Sequence, residues 1–85
     1  MGLDIVEMVL AVEREFGIDL PDAELAPVRT VGEFEALVAH RAGAVGAEAR
    51  RQLHARLIDI IVRETGAAPE RLVPEAHFHR DLGIG

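Results

Sequence analysis

The chain has 85 residues, room for one small domain with a modest core, and a formal net charge of -6, which argues against a nucleic-acid partner because phosphate binding needs a basic face. Hydrophobic residues are 49% and aromatics only 4%, a balance that favours aliphatic helix packing over a β-sandwich. Cys is absent, no apolar run approaches membrane-spanning length, and no basic segment of a secretory signal opens the chain, so a soluble cytoplasmic protein with no membrane partner is expected.

Residues 3–16 carry a helical period. Ile5, Met8, Val9, Val12 and Phe16 share one arc of the wheel and form a core face. Leu3, Val6 and Leu10 fall on nearly the opposite side, among Asp4, Glu7, Glu13 and Glu15. An apolar strip rimmed by acids reads as a docking surface for a basic partner, and Leu3, Asp4, Val6, Glu7, Leu10, Glu13 and Arg14 form the candidate set. The plainer reading is a solvated face with scattered surface apolars. Gly17 ends this helix, and Pro21-Asp22 opens one short helical turn that Pro27 limits.

Thr30 followed three residues later by Glu33 is a capping box, which starts a helix over 31–41 with Val31, Phe34, Leu37 and Val38 on one face. Residues 42–49, AGAVGAEA, read as a small-residue linker. A helix over 47–65 turns Leu53, Leu57, Ile60 and Ile61 inward and stops at Gly66. The remainder, with two prolines and no sustained period, is a long loop pinned by Leu72, Val73, Phe78, Leu82 and Ile84. The expected core is Ile5, Met8, Val12, Phe16, Phe34, Leu37, Leu57, Ile60, Ile61, Phe78 and Leu82. The fold class is all-α, a small three- to four-helix bundle.

Residues 2–22, GLDIVEMVLAVEREFGIDLPD, resemble the second helix of an acyl carrier protein and the turn after it. The family pattern is Asp-Ser-Leu-Asp, an acidic amphipathic helix, then Glu-x-x-Phe-Gly-Ile-x-Ile/Leu-Pro-Asp. Leu3, Asp4, Val6, Glu7, Glu13, Glu15, Phe16, Gly17, Ile18, Pro21 and Asp22 match it in register. The second half is similar to the family's beginning. Residues 53–66 resemble its first helix, and Leu72, Ala76, Phe78, Asp81, Leu82, Gly83 and Ile84 resemble the loop that follows. Joined, the two ends read DLGIG-GLDIVE, close to the family's DLGIDSLDxVE. The resemblance therefore spans 1–41 as the family's second half and 50–85 as its first, in exchanged order within a single domain, as in a circular permutant. The alternative is an excerpt of two tandem carrier domains.

In the family, a serine carries 4′-phosphopantetheine. The resemblance puts Gly2 at that position, so Gly2 marks the cofactor site without being competent to hold the arm, and no cofactor can be attached as the chain stands. The chain has no Ser at all; Thr30 and Thr65 carry its only hydroxyl side chains. Serine-type nucleophilic catalysis is thereby excluded, and no enzyme activity is expected. The resemblance implies a carrier-like module that docks to fatty-acid, polyketide or related acyl-transfer and synthase enzymes bearing a basic patch. The alternative is a degenerate interaction domain of the same fold. His77 and His79 would point to opposite sides of an extended segment, no Cys accompanies them and Asp81 is the one further candidate ligand, so no metal site is expected. His40, His54, Glu33 and Glu35 read as solvated helix residues. A monomer is expected, because Gly43 and Gly46 let the chain turn back on itself. One continuous helix over 31–65 would instead separate the halves and require a domain-swapped dimer.

Overall fold

The computed structural model describes residues 3–84, with side chains from residue 5 onward. Four helices follow in order: α1 (Leu3–Phe16), α2 (Asp22–Leu25), α3 (Val31–Ala42) and α4 (Ala47–Thr65), then one 3₁₀ turn at Pro69–Arg71. The described residues contain no strand, only an isolated antiparallel bridge between Thr30 and His77. The molecule is a small all-α bundle in which α1 packs along α4, and α3 closes on α4.

Each helix stops where its backbone chemistry requires. After α1, Gly17 takes φ 62°, and Ile18 N–H reaches back to the Glu13 carbonyl at 3.1 Å. Gly43, at φ 67° in the left-handed region, caps α3 through hydrogen bonds to the Ala39 and His40 carbonyls. The break between α3 and α4 is therefore only residues 43–46, shorter than the expected linker over 42–49, because Ala42 and residues 47–49 are helical. The two halves close on each other within this one chain, and no continuous helix over 31–65 forms.

The start of α3 is capped from two directions. Thr30 Oγ1 accepts from Glu33 N–H at 3.1 Å, and Glu33 Oε1 accepts from Thr30 N–H at 3.1 Å and from Arg29 N–H at 2.8 Å. The first two helical amides are satisfied by the distant C-terminal loop: Val31 N–H donates to Ala76 O at 3.0 Å, and Gly32 N–H to Pro74 O at 2.9 Å. Gly32 permits that approach, since a Cβ there would lie 3.0 Å from Pro74 O. Phe78 N–H donates to Arg29 O at 2.9 Å and completes the seam.

The core forms where the apolar faces meet. Met8 and Val12 of α1, Phe34 and Val38 of α3, and Leu57, Ile60 and Ile61 of α4 are fully buried. Phe78 from the loop sets its ring edge-on to Phe34, with centroids 5.8 Å apart at 84°. Of the expected core, Ile5, Phe16, Leu37 and Leu82 are only partly buried and form its margin. Leu72 and Ile84 pin the long loop as expected, whereas Val73 is 48% exposed and pins nothing. Ala11, Leu20, Ala39 and Ala76 are buried without having stood out in the periodicity.

Candidate functional site

The outward face of α1 carries the strip read from the sequence. Val6 and Leu10 are 44% and 46% exposed, and Glu7 and Arg14 are exposed beside them. Gly2 and the side chains of Leu3 and Asp4, also in the candidate set, lie outside the described residues. Val6 and Leu10 border an open groove of about 260 Å³ between α1 and α2, lined also by Ile5, Val9, Leu20 and Leu25, with Glu13 and Asp22 at its edge. The groove exists because α2 is one turn long and the 17–21 connection folds its Leu20 under α1.

The acids of this region are not equivalent. Glu13 is partly buried, and its Oε2 accepts the Leu20 N–H at 2.8 Å, which fixes the connection to α2. Glu15 pairs with Arg56 of α4 at 2.9 Å, and the same guanidinium lies 4.5 Å over the Phe16 ring. Among the described acids of the strip, Glu7 alone has no hydrogen-bond or ion-pair partner among the described residues. Glu35, read from the sequence as merely solvated, contacts His54 Nδ1 at 2.5 Å and ties α3 to α4. Arg41 holds the α2 region to the end of α3 through Glu24 at 3.1 Å and the Asp19 carbonyl at 3.0 Å.

A second concavity, about 280 Å³, opens between α1, the 25–29 segment, the start of α3 and the 77–84 loop. Ile5, Met8, Val9, Leu25, Val28, Phe34, Phe78 and Ile84 give it an apolar lining, with Arg29, His77 and His79 as the polar members. Ile5 from the first half of the chain and Ile84 from its last residues thus face one space. The turn over 77–82 is held by its own network. His77 N–H donates to Asp81 Oδ2 at 2.8 Å, Arg80 N–H donates to His77 Nδ1 at 3.1 Å, and Arg71 donates to Asp81 O at 2.6 Å. The Asp81 carboxylate and amide are thus engaged by the His77 backbone, and the His77 ring by the Arg80 amide. Two carboxylates sit below their ordinary range: Glu33 because the Arg29 and Thr30 amides donate to it, and Asp81 because the His77 amide does, helped by the Arg80 side chain. The periodicity of α1 pointed to its outer strip; nothing local in the sequence pointed to the second concavity, whose walls are separated by most of the chain.

Part of the chain is similar to acyl carrier proteins. It is 48% identical over 43 residues to that of Picosynechococcus sp., covering 51% of this chain and 53% of the relative. The acyl carrier protein of Wolinella succinogenes is 48% identical over 32 residues, 38% of this chain and 42% of the relative. That of Clostridium acetobutylicum is 52% identical over 32 residues, with the same coverage of 38% and 42%. The chain spans about half the length of the curated relatives it matches. No family model and no solved structure matches it.

Proposed function

We propose that the chain is an acyl-carrier-like module with the family's two halves in exchanged order, docking to acyl-transfer or synthase enzymes through the outer face of α1. The observation that carries the reading is the identity over half the chain to proteins named as acyl carriers. An exchange of halves gives a match of that extent, because a collinear alignment can follow only one half at a time. Ile84 and Ile5 lining one cavity supports the same reading, since it brings the loop's end to the first turn of α1. The exposed Val6 and Leu10 beside Glu7 supply apolar contact and an attractive charge for a basic partner.

Gly2 stands at the position of the modified serine, so the chain as written offers no hydroxyl for the arm. That absence favours a second reading, a non-carrier interaction domain that keeps the fold and the docking face. Incubation with a phosphopantetheinyl transferase and coenzyme A tests both. The unaltered chain keeps its mass. Gly2→Ser gains the mass of the arm. Mass gain on the unaltered chain, or none on a folded Gly2→Ser variant, overturns the assignment of the site.

A further inference from the structure

We propose that the Val45–Gly46 peptide bond is a cleavage site for an endoprotease with a small aliphatic specificity pocket, and that the cut chain persists as a two-piece bundle of residues 1–45 and 46–85. The inference stands apart from the carrier reading, since it involves no arm, no serine and no synthase.

Exposure and backbone conformation converge on this bond. Val45 is 87% exposed and lies in the break over 43–46 between α3 and α4. Among the described residues, the other exposed large apolar side chains are Val6, Leu10 and Val73. Val6 and Leu10 are inside α1, where the backbone is committed to helical hydrogen bonds. Val73 precedes Pro74, whose ring and missing N–H make that bond a poor substrate. Val45 instead offers an aliphatic side chain on non-helical backbone, followed by a glycine that adds no bulk.

An endoprotease binds its substrate extended, so the residues around the bond must lift from the bundle. Among the described residues, neither the Val45 nor the Gly46 amide makes a backbone hydrogen bond. Upstream, Ala44 N–H donates to the Ala39 carbonyl at 3.0 Å and anchors the turn to the end of α3. Downstream, α4 starts at Gly46 with no side-chain cap, and Ala47 and Glu48 of its first turn are exposed, so this end frays toward the protease.

Hydrolysis consumes one water. Its oxygen joins the Val45 carbonyl carbon, which becomes a carboxylate. The bond to the Gly46 nitrogen breaks, and that nitrogen takes up both hydrogens as an ammonium. Nothing is oxidised or reduced. The new carboxylate forms beside Arg50 and His40, which line one concavity with Val45. The new ammonium opposes the dipole of α4, with Glu48 in the first turn as compensation. The core is untouched by the cut. Met8 and Phe34 belong to the first piece, Leu57 and Phe78 to the second, and all four are buried in one cluster. The Glu15–Arg56 and Glu35–His54 pairs also cross from one piece to the other.

The test is brief exposure of the unaltered chain to elastase, read by mass spectrometry and size-exclusion chromatography. The first products should be 1–45 and 46–85, their masses summing to that of the chain plus one water. They should elute together where the intact chain does, and separate in guanidinium. The cut bundle should melt at a temperature that rises with protein concentration, unlike the intact chain, because its pieces associate by mass action. Val45→Asp should slow the first cut at least about tenfold, since a small apolar pocket rejects a charge. Val73→Asp makes the same change ahead of Pro74 and should leave the rate unchanged, and thermal melts establish that both variants are folded. No cut, a first cut at another bond, loss of either piece from the shared peak, an unslowed Val45→Asp chain or equal slowing in both variants each overturns the proposal.

Discussion

Glu13 shows how a carboxylate in a charged row acquires a fixed task. Its bond to the Leu20 amide holds the residue that closes the core beneath α1, so Glu13→Ala should lower stability by about 1–3 kcal/mol in urea unfolding. Glu7, exposed and without a described partner, should tolerate Glu7→Arg within about 0.5 kcal/mol. The same substitution should slow association with a basic synthase partner at low salt, because rim charges act on encounter rates more than on folding. Unchanged association would reject the outer face of α1 as the docking surface. Glu33 and Asp81 contribute to the acid limb of the stability curve. Both are held below their ordinary values of 4.5 and 3.8, so their contribution is present above those values and is lost as pH falls through the depressed ones. Glu33→Gln and Asp81→Asn should each make the decline below the ordinary carboxylate values of 4.5 and 3.8 shallower, as read by urea midpoints at successive pH.

At the scale of elements, helix ends were legible because their signals are local. Thr30 with Glu33 marks the start of α3, and Gly17 and Gly66 mark two stops, all within a few residues of the backbone groups they serve. The two amides at the start of α3 that the loop satisfies were not legible, since Pro74 and Ala76 lie more than forty positions away. Gly43 and Gly46, with φ 67° and 95°, hold the turn between α3 and α4 in conformations that strain an L side chain. Replacing both by Ala penalises the turn by about 1–2 kcal/mol per residue while favouring helix through the break. Light scattering should find the natural chain monomeric and the Gly43→Ala, Gly46→Ala variant partly dimeric by exchange of halves. A variant that stays wholly monomeric would count against the turn as the device that closes the bundle.

Over the whole molecule, stability rests on the junction of α1, α3, α4 and the C-terminal loop. Phe34 sits at that junction, 1% exposed and edge-on to Phe78. Phe34→Ala should cost about 3–5 kcal/mol in thermal or urea unfolding, a large share of the margin of a domain this size. A loss under 1 kcal/mol would mean that the loop does not pack as described.

What the sequence by itself determined was the set of helices, their ends, and which face of each is apolar, for these follow from period and capping over a few neighbouring residues. It also determined the absence of a serine hydroxyl and the acid-rimmed strip on α1. Only the tertiary structure decided which acids of that strip are engaged, because Leu20 and Arg56 reach Glu13 and Glu15 from other parts of the chain. It alone made the cavity with Arg29 at its mouth. The cavity's walls come from residue 5 at one end of the chain and residue 84 at the other, and no local pattern records that distant segments will leave a space where they meet.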